Sequence, residues 1–104
     1  MERIVITAYK PLPGKEQALE QVVRKHWEIL NGEGLVSSRK PIVARAQDGT
    51  IVEVFGWKSK DAISAAHSNK AVMAMWEEFG QACEFIPIGG VAESQQVFSE
   101  FAPV

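Results

Sequence analysis

The chain contains one cysteine, Cys83, among its 104 residues. A single cysteine excludes an intrachain disulfide and a zinc site built from several thiolates, and it fits a reducing compartment. No apolar run approaches the roughly 18 residues that a membrane-spanning helix needs, and the first residues lack the long apolar core of a signal peptide. The sequence therefore predicts a cytoplasmic protein with no membrane partner.

Positive charge is also sparse. Eleven Lys and Arg face thirteen Asp and Glu, which gives a formal net charge of −2 and a pI near 5.7. The densest basic groups are only pairs, Arg24-Lys25 and Arg39-Lys40. Because a nucleic-acid-binding domain needs a basic patch, we expect no nucleic-acid partner. The length suits a single domain over residues 1–104, and a domain this small gains stability from burial against a partner.

The apolar residues recur in patterns typical of short strands and amphipathic helices. The chain is punctuated by Pro13-Gly14, Asn31-Gly32 and Asp48-Gly49, which favour turns and helix ends. Pro41 interrupts the second strand because it cannot donate to a ladder. The patterns predict strands at 4–9, 35–46, 51–57 and 83–88, and helices at 15–30, 59–67 and 70–81.

This order is strand, helix, strand, strand, helix pair, strand. It predicts an α+β fold of ferredoxin-like type, an antiparallel sheet with helices on one face. The strand 51–57 is apolar on both faces, so the second face needs a cover, and the sheet of a second copy is the economical one. We therefore expect a homodimer. The tail, about 89–104, is expected to pack on the domain or on the partner.

Three stretches resemble a known family. They are the strand-turn-helix entry TAYKPLPGKEQALEQVV, the hairpin ARAQDGTIVEVFGW with its continuation KSKDAISAAHSN, and the closing EFIPIGG with the aromatic tail FSEFAPV. Together they resemble the dimeric α+β barrel superfamily, and more narrowly the antibiotic-biosynthesis-monooxygenase-like domains. The resemblance implies a homodimer that closes a barrel and a pocket between helices and sheet. Such domains include cofactor-independent oxygenases of polycyclic phenols, haem-degrading enzymes and proteins with no assigned activity.

The residues that the haem-degrading branch uses are replaced here. Its first-strand Asn, its helical Trp and its iron-binding His fall near Thr7, Ala66 and Trp76. This argues against haem degradation, and we expect no cofactor and no metal. The anthrone-type oxygenases use Asn, Trp and Tyr in the pocket. The resemblance implies that Trp57, Trp76 and Tyr9 supply the aromatic residues of this pocket. The chain departs from the family in two places: it has no first-strand Asn, and Phe55 stands where the family often has Glu.

Two histidines are the candidate catalytic residues, because imidazole is the side chain whose ordinary pKa lies nearest physiological pH. His67 could take a proton from a phenol, or it could cap the end of its helix or hydrogen-bond across the dimer. His26 lies in the apolar stripe of the first helix, where a buried ring must find a partner. That partner is either a core carbonyl or a ligand in a pocket.

The substrate-binding prediction comprises five residues: Trp57, Trp76, Tyr9, Glu53 and Phe55. Since Glu53 shares a strand face with Phe55 and Trp57, a buried carboxylate there needs a partner. An interface ion pair with Arg45 across the hairpin is favoured over a general base. Two functions follow as hypotheses. One is a cofactor-independent monooxygenase of a small aromatic or quinol-like metabolite; the other is a non-catalytic small-molecule-binding or stress-associated homodimer.

Overall fold

The computed structural model describes all 104 residues. Eight helices and strands make up the fold, and two short 3₁₀ turns, Ile88–Gly90 and Ala92–Gln95, lie in the tail. In chain order the elements are β1 (Arg3–Pro11), α1 (Glu16–Gly32), β2 (Ile42–Arg45), β3 (Ile51–Trp57), α2 (Lys60–Ala66), α3 (Lys70–Ala82), β4 (Cys83–Ile86) and β5 (Ala102–Pro103).

All five strands form one antiparallel sheet in the order β4-β1-β3-β2-β5. The long central pair runs from Arg3 opposite Trp57 to Tyr9 opposite Ile51. The predicted α+β class with an antiparallel sheet is confirmed, and the arrangement is compatible with a ferredoxin-like fold. Since the register of β1 and β3 places Thr7 opposite Glu53, the polar residues of these strands meet near the middle of the sheet.

Capping side chains mark the starts of α2 and α3. The Ser59 hydroxyl accepts a hydrogen bond from the Ala62 amide at 3.1 Å, and the Asn69 side chain accepts one from the Val72 amide at 3.1 Å. Each cap satisfies a backbone donor that the first helical turn leaves free. No helix of the fold combines the length and the apolar character needed to cross a membrane.

Two strands are shorter than predicted, and proline accounts for both differences. Only Ile42–Arg45 is strand within the predicted 35–46, with an isolated bridge from Val36 to Trp57 ahead of it. Likewise β4 ends at Ile86, directly before Pro87, instead of continuing to residue 88. Because proline has no amide hydrogen, it ends the ladder at these points.

One face of the sheet packs against α1 and α3. The residues of β1 and β3 with odd numbers point to this face, as the two-residue period of a strand requires. Tyr9, Phe55 and Trp57 join the main core there with Leu19 of α1 and Phe79 of α3. The helices therefore enclose the face that also carries Glu53.

The opposite face is covered in part by the tail. Val91 packs against Ala8, Ala46 and Val52, and β5 pairs with β2. The structure thus places the tail on its own domain. Beyond the tail, Ile4, Ile6 and Ile42 are each more than half exposed on the same face.

Candidate functional site

Glu53 lies at the centre of a buried polar cluster. Its side chain is fully buried, and Oε1 accepts hydrogen bonds from the Tyr9 hydroxyl at 2.7 Å and from His26 Nδ1 at 2.7 Å. β1 supplies Tyr9, and the apolar stripe of α1 carries His26 against the sheet. The second carboxyl oxygen, Oε2, has no hydrogen-bond partner. Two polar side chains that are distant in sequence, Tyr9 and His26, therefore share one carboxylate oxygen inside the core.

The predicted ion pair between Glu53 and Arg45 is wrong. Arg45 lies opposite Ile51 near the end of the hairpin, and its guanidinium bonds instead to Glu20 on α1. Glu53 lies deeper in the sheet, under the helices and away from any open surface. The partner of His26 is thus a carboxylate, whereas we considered a core carbonyl or a ligand.

A cavity of about 340 Å³ lies beside this cluster, between the sheet and the helices. This volume is at the lower end of the range of roughly 300–1,000 Å³ that small-molecule pockets occupy. Seven of the nine lining residues are hydrophobic, and the remaining two are Thr7 and His26. The complete lining is Val5, Thr7, Tyr9, His26, Phe55, Trp57, Trp76, Phe79 and Phe85.

Aromatic rings hold the imidazole of His26 in a fixed orientation. Phe55 and Phe79 meet it edge to face, with ring centroids 5.2 and 5.1 Å away. With the proton assigned to Nδ1, which donates to Glu53, the lone pair lies on Nε2, and this nitrogen makes no hydrogen bond to the protein. Since His26 lines the cavity, Nε2 is the nitrogen available to a ligand. Such a ring can accept a proton while the carboxylate stabilises the cation.

The Tyr9 hydroxyl is held neutral by its surroundings. Burial raises the pKa of Tyr9 well above its ordinary value, and the nearby negative charge of Glu53 adds to the effect. The phenol therefore serves as a hydrogen-bond donor to Glu53 and not as a base.

This shift predicts how stability depends on alkaline pH. Tyr9 is the one tyrosine of the chain, so phenolate absorbance reports on it alone. Above about pH 10 the unfolded chain releases this proton while the folded protein keeps it. The free energy of unfolding therefore falls as the pH rises, by at most about 1.4 kcal/mol per pH unit from this group, and phenolate absorbance is expected only with unfolding.

Denaturant titrations at stepped pH test this prediction, with Tyr9→Phe as the matched control. In the variant, the free energy of unfolding should fall less steeply with pH. The remaining pH dependence is expected to include that of Cys83, because burial raises the pKa of its thiol to about 11. A phenolate signal near pH 10 in the folded protein would contradict the prediction.

The structure separates the two candidate histidines. His67 is exposed at the C-terminal end of α2, where its ring packs on Trp76 with 5.1 Å between centroids. It is not among the residues that line the cavity, whereas His26 is. His67 therefore contacts a lining residue of the cavity, Trp76, without lining it.

The remaining predicted site residues come together. Trp57, Trp76, Tyr9 and Phe55 all line the cavity, and Glu53 lies behind Tyr9 and His26. Sequence analysis did not assign Val5, Thr7, Phe79 and Phe85 to the site. Two of these carry a sequence signal, since Thr7 shares the strand face of Tyr9, and Phe79 follows Trp76 at helical spacing.

Cys83 is a buried thiol beside this region. Its Sγ donates to the backbone carbonyl of Phe79 at 3.2 Å, and burial raises the pKa of the thiol to about 11. The thiol is thus protonated at neutral pH, which makes it a poor nucleophile.

Comparisons with protein-family models, with curated proteins and with solved structures found no match.

Proposed function

We propose that this protein is a cofactor-independent monooxygenase that acts on a small aromatic, quinol-like metabolite. One observation carries the proposal: a buried histidine, whose Nδ1 contacts a buried carboxylate, lines an aromatic cavity. A base must lie within hydrogen-bond reach of the proton it takes, and His26 is the lining side chain whose ordinary pKa suits a base near neutral pH.

In this mechanism His26 Nε2 removes a proton from the substrate, and Glu53 stabilises the resulting imidazolium through Nδ1. The substrate anion then reacts with dioxygen at a ring carbon that is a CH₂ group in the keto tautomer of the substrate. The substrate supplies four electrons; one oxygen atom forms the new carbonyl, and the other leaves as water after taking up the two hydrogens lost from the carbon. His26 returns its proton in this last step, so the protein is unchanged.

The other lining residues bind the substrate. Trp57 and Trp76 offer broad aromatic faces, and Phe55 and Phe79 close the sides of the cavity. Flat rings pack well against such side chains by offset or edge-to-face contacts. Glu53 and His26 are themselves buried, and this strengthens the interaction between the imidazolium and Glu53.

Oxygen uptake tests the proposal. Purified wild-type protein is mixed with anthrones, naphthols and hydroquinones in an oxygen-electrode cell. We expect protein-dependent uptake that His26→Gln lowers by at least about a hundredfold, the size of a general-base contribution. His67→Ala is the matched control and should retain uptake. Loss of uptake only in His67→Ala would transfer the role to that residue, and no uptake with any compound would overturn the oxygenase.

A second function is favoured by the composition of the cavity. The Tyr9 hydroxyl and His26 Nδ1 are both bound to Glu53, so most of the surface offered to a ligand is apolar. A non-catalytic protein that binds a small aromatic molecule needs no more than this. It would bind the same compounds, quench tryptophan fluorescence and consume no oxygen.

We also propose that two copies associate through the open face of the sheet, as in a dimeric α+β barrel of the antibiotic-biosynthesis-monooxygenase-like type. The exposed Ile4, Ile6 and Ile42 support this, because a contiguous apolar surface favours a partner. A groove of about 270 Å³ between the sheet and the tail, which includes Val54 and Phe101, continues that surface. Sedimentation velocity should give twice the 11.5 kDa mass of the chain; a monomer at all concentrations would contradict the proposal.

A further inference from the structure

One edge of β1 is only partly paired. β3 lies along its inner edge over residues 3–9, whereas β4 pairs with its outer edge only over residues 8–11. β4 ends at Ile86, and the chain then continues into the 3₁₀ turn Ile88–Gly90. No strand of the sheet therefore pairs with the outer edge of β1 over residues 3–6.

Ile4 and Ile6 direct their backbone N–H and C=O groups toward this unpaired edge. Ile4 lies opposite Gly56 in the ladder with β3, but the Gly56 carbonyl accepts from the Ser37 amide on its other side, at 2.9 Å. Because bonded and non-bonded pairs alternate along an antiparallel ladder, Ile6 points the same way as Ile4. Both residues are 51% exposed. Such an edge is a template for another strand.

The aromatic cavity opens beside the same edge. Among its lining residues, the exposed or partly exposed ones are Val5, Thr7, Trp76 and Phe85. Phe85 of β4 lies opposite Tyr9 and lines the cavity, so it shows where a strand on this edge places every second side chain. A strand in line with β4 would point the side chain opposite Val5 to the same face, at the opening of the cavity.

We propose that this edge binds an extended peptide segment of another protein, which adds to β1 as an antiparallel strand in line with β4. The alternating donors and acceptors of Ile4 and Ile6 match the main chain of such a segment. Opposite Val5 the apolar cavity selects an apolar side chain. Two residues further on, exposed Arg3 forms no salt bridge and selects an acidic one. The inference does not depend on the proposed oxygenase.

Amide hydrogen exchange, followed by NMR, tests the edge itself. In the free protein the Ile4 and Ile6 amides should exchange faster than those of Val5 and Thr7, which point to β3. At nine-tenths saturation the peptide acetyl-Thr-Phe-Thr-Glu-Thr-amide should slow exchange at Ile4 and Ile6 by about tenfold. Slow exchange at both residues in the free protein would overturn the proposal, because the chain itself or a second copy would then occupy the edge.

Two matched comparisons test how the peptide binds. N-methylation of the Thr between Phe and Glu removes the donor to the Ile4 carbonyl and should weaken binding by at least about tenfold, whereas N-methylation of Phe, whose amide points outward, should change it by less than about twofold. Arg3→Glu should weaken binding of this peptide by about two- to fivefold and strengthen binding of the same peptide with Lys in place of Glu.

Each contrary outcome overturns the proposal. No binding of the unmethylated peptide, equal effects of the two N-methylations, or an Arg3→Glu effect that is the same for the Glu and Lys peptides would do so. None of these readouts involves turnover, so the oxygenase stands or falls separately by oxygen uptake. Thermal unfolding of Arg3→Glu, expected to match wild type because the side chain is exposed, confirms that the fold is intact.

Discussion

Glu53→Ala is expected to lower the free energy of unfolding by about 3–5 kcal/mol, the range found when one member of a buried polar or ionic group is removed. The carboxylate is fully buried, and it is the one acceptor for both the Tyr9 hydroxyl and His26 Nδ1. Its removal leaves two buried donors without partners, and each such donor costs about 1–3 kcal/mol. Denaturant unfolding followed by circular dichroism measures the change.

Two further variants make this prediction specific. Tyr9→Phe removes one donor and leaves the bond between His26 and Glu53, so it should cost only about 1–2 kcal/mol. In the double variant Tyr9→Phe with Glu53→Ala the hydroxyl is no longer stranded, and the combined loss should be smaller than the sum by about 1 kcal/mol. Additive losses, or a loss below about 1 kcal/mol for Glu53→Ala, would show that the cluster is not coupled as described.

Replacing the whole cluster separates stability from function. A variant with Tyr9→Phe, His26→Leu and Glu53→Leu has no buried polar group to satisfy, and such replacements are often neutral or stabilising. If it folds as stably as wild type and neither binds nor oxidises the aromatic panel, the cluster serves the cavity and not the fold.

Phe79→Ala is expected to cost about 3–5 kcal/mol, the usual range for truncating a buried phenylalanine. The ring is 1% exposed and packs against Tyr9 at 4.8 Å and His26 at 5.1 Å between centroids. Its loss removes apolar burial and leaves a void next to an existing cavity. The same denaturant titration measures it.

Phe85→Ala is the matched control for Phe79→Ala. Both rings line the cavity and contact Tyr9, but Phe85 is 57% exposed. Its truncation should cost less than about 1 kcal/mol, because little of its surface leaves water on folding. Equal losses for the two variants would mean that the cavity is not bounded by Phe79 as described.

Local signals account for the elements that were predicted correctly. Ser59 and the turn at Asp48-Gly49 act on neighbours within three residues, and Gly49 has the positive φ of 93° that favours glycine. The period of β3 likewise placed Glu53, Phe55 and Trp57 on one face. The limits of β2 and β4 were less accurate, although Pro41 directly precedes the first residue of β2 and Pro87 directly follows the last residue of β4.

The candidate site was predicted in part. The resemblance and the number of tryptophans pointed to the aromatic residues, and His26 was placed correctly on the buried stripe of its helix. Its partner was not, because hydrophobic periodicity says that a side chain is buried without saying which distant atom lies beside it. The spacing of residues along the chain does not predict that Thr7 lies opposite Glu53, because that pairing depends on the register between β1 and β3.

The sequence by itself determined the α+β order of elements, the helix caps and the burial of one face of each central strand, because these depend on residues close together in the chain. Tertiary structure decided that Glu53 receives both Tyr9 and His26, which are 44 and 27 positions away, and that Arg45 turns to Glu20. It also paired β5 of the tail with β2 of the same chain. These contacts require strand register and helix docking together, and both are set by packing across the whole core.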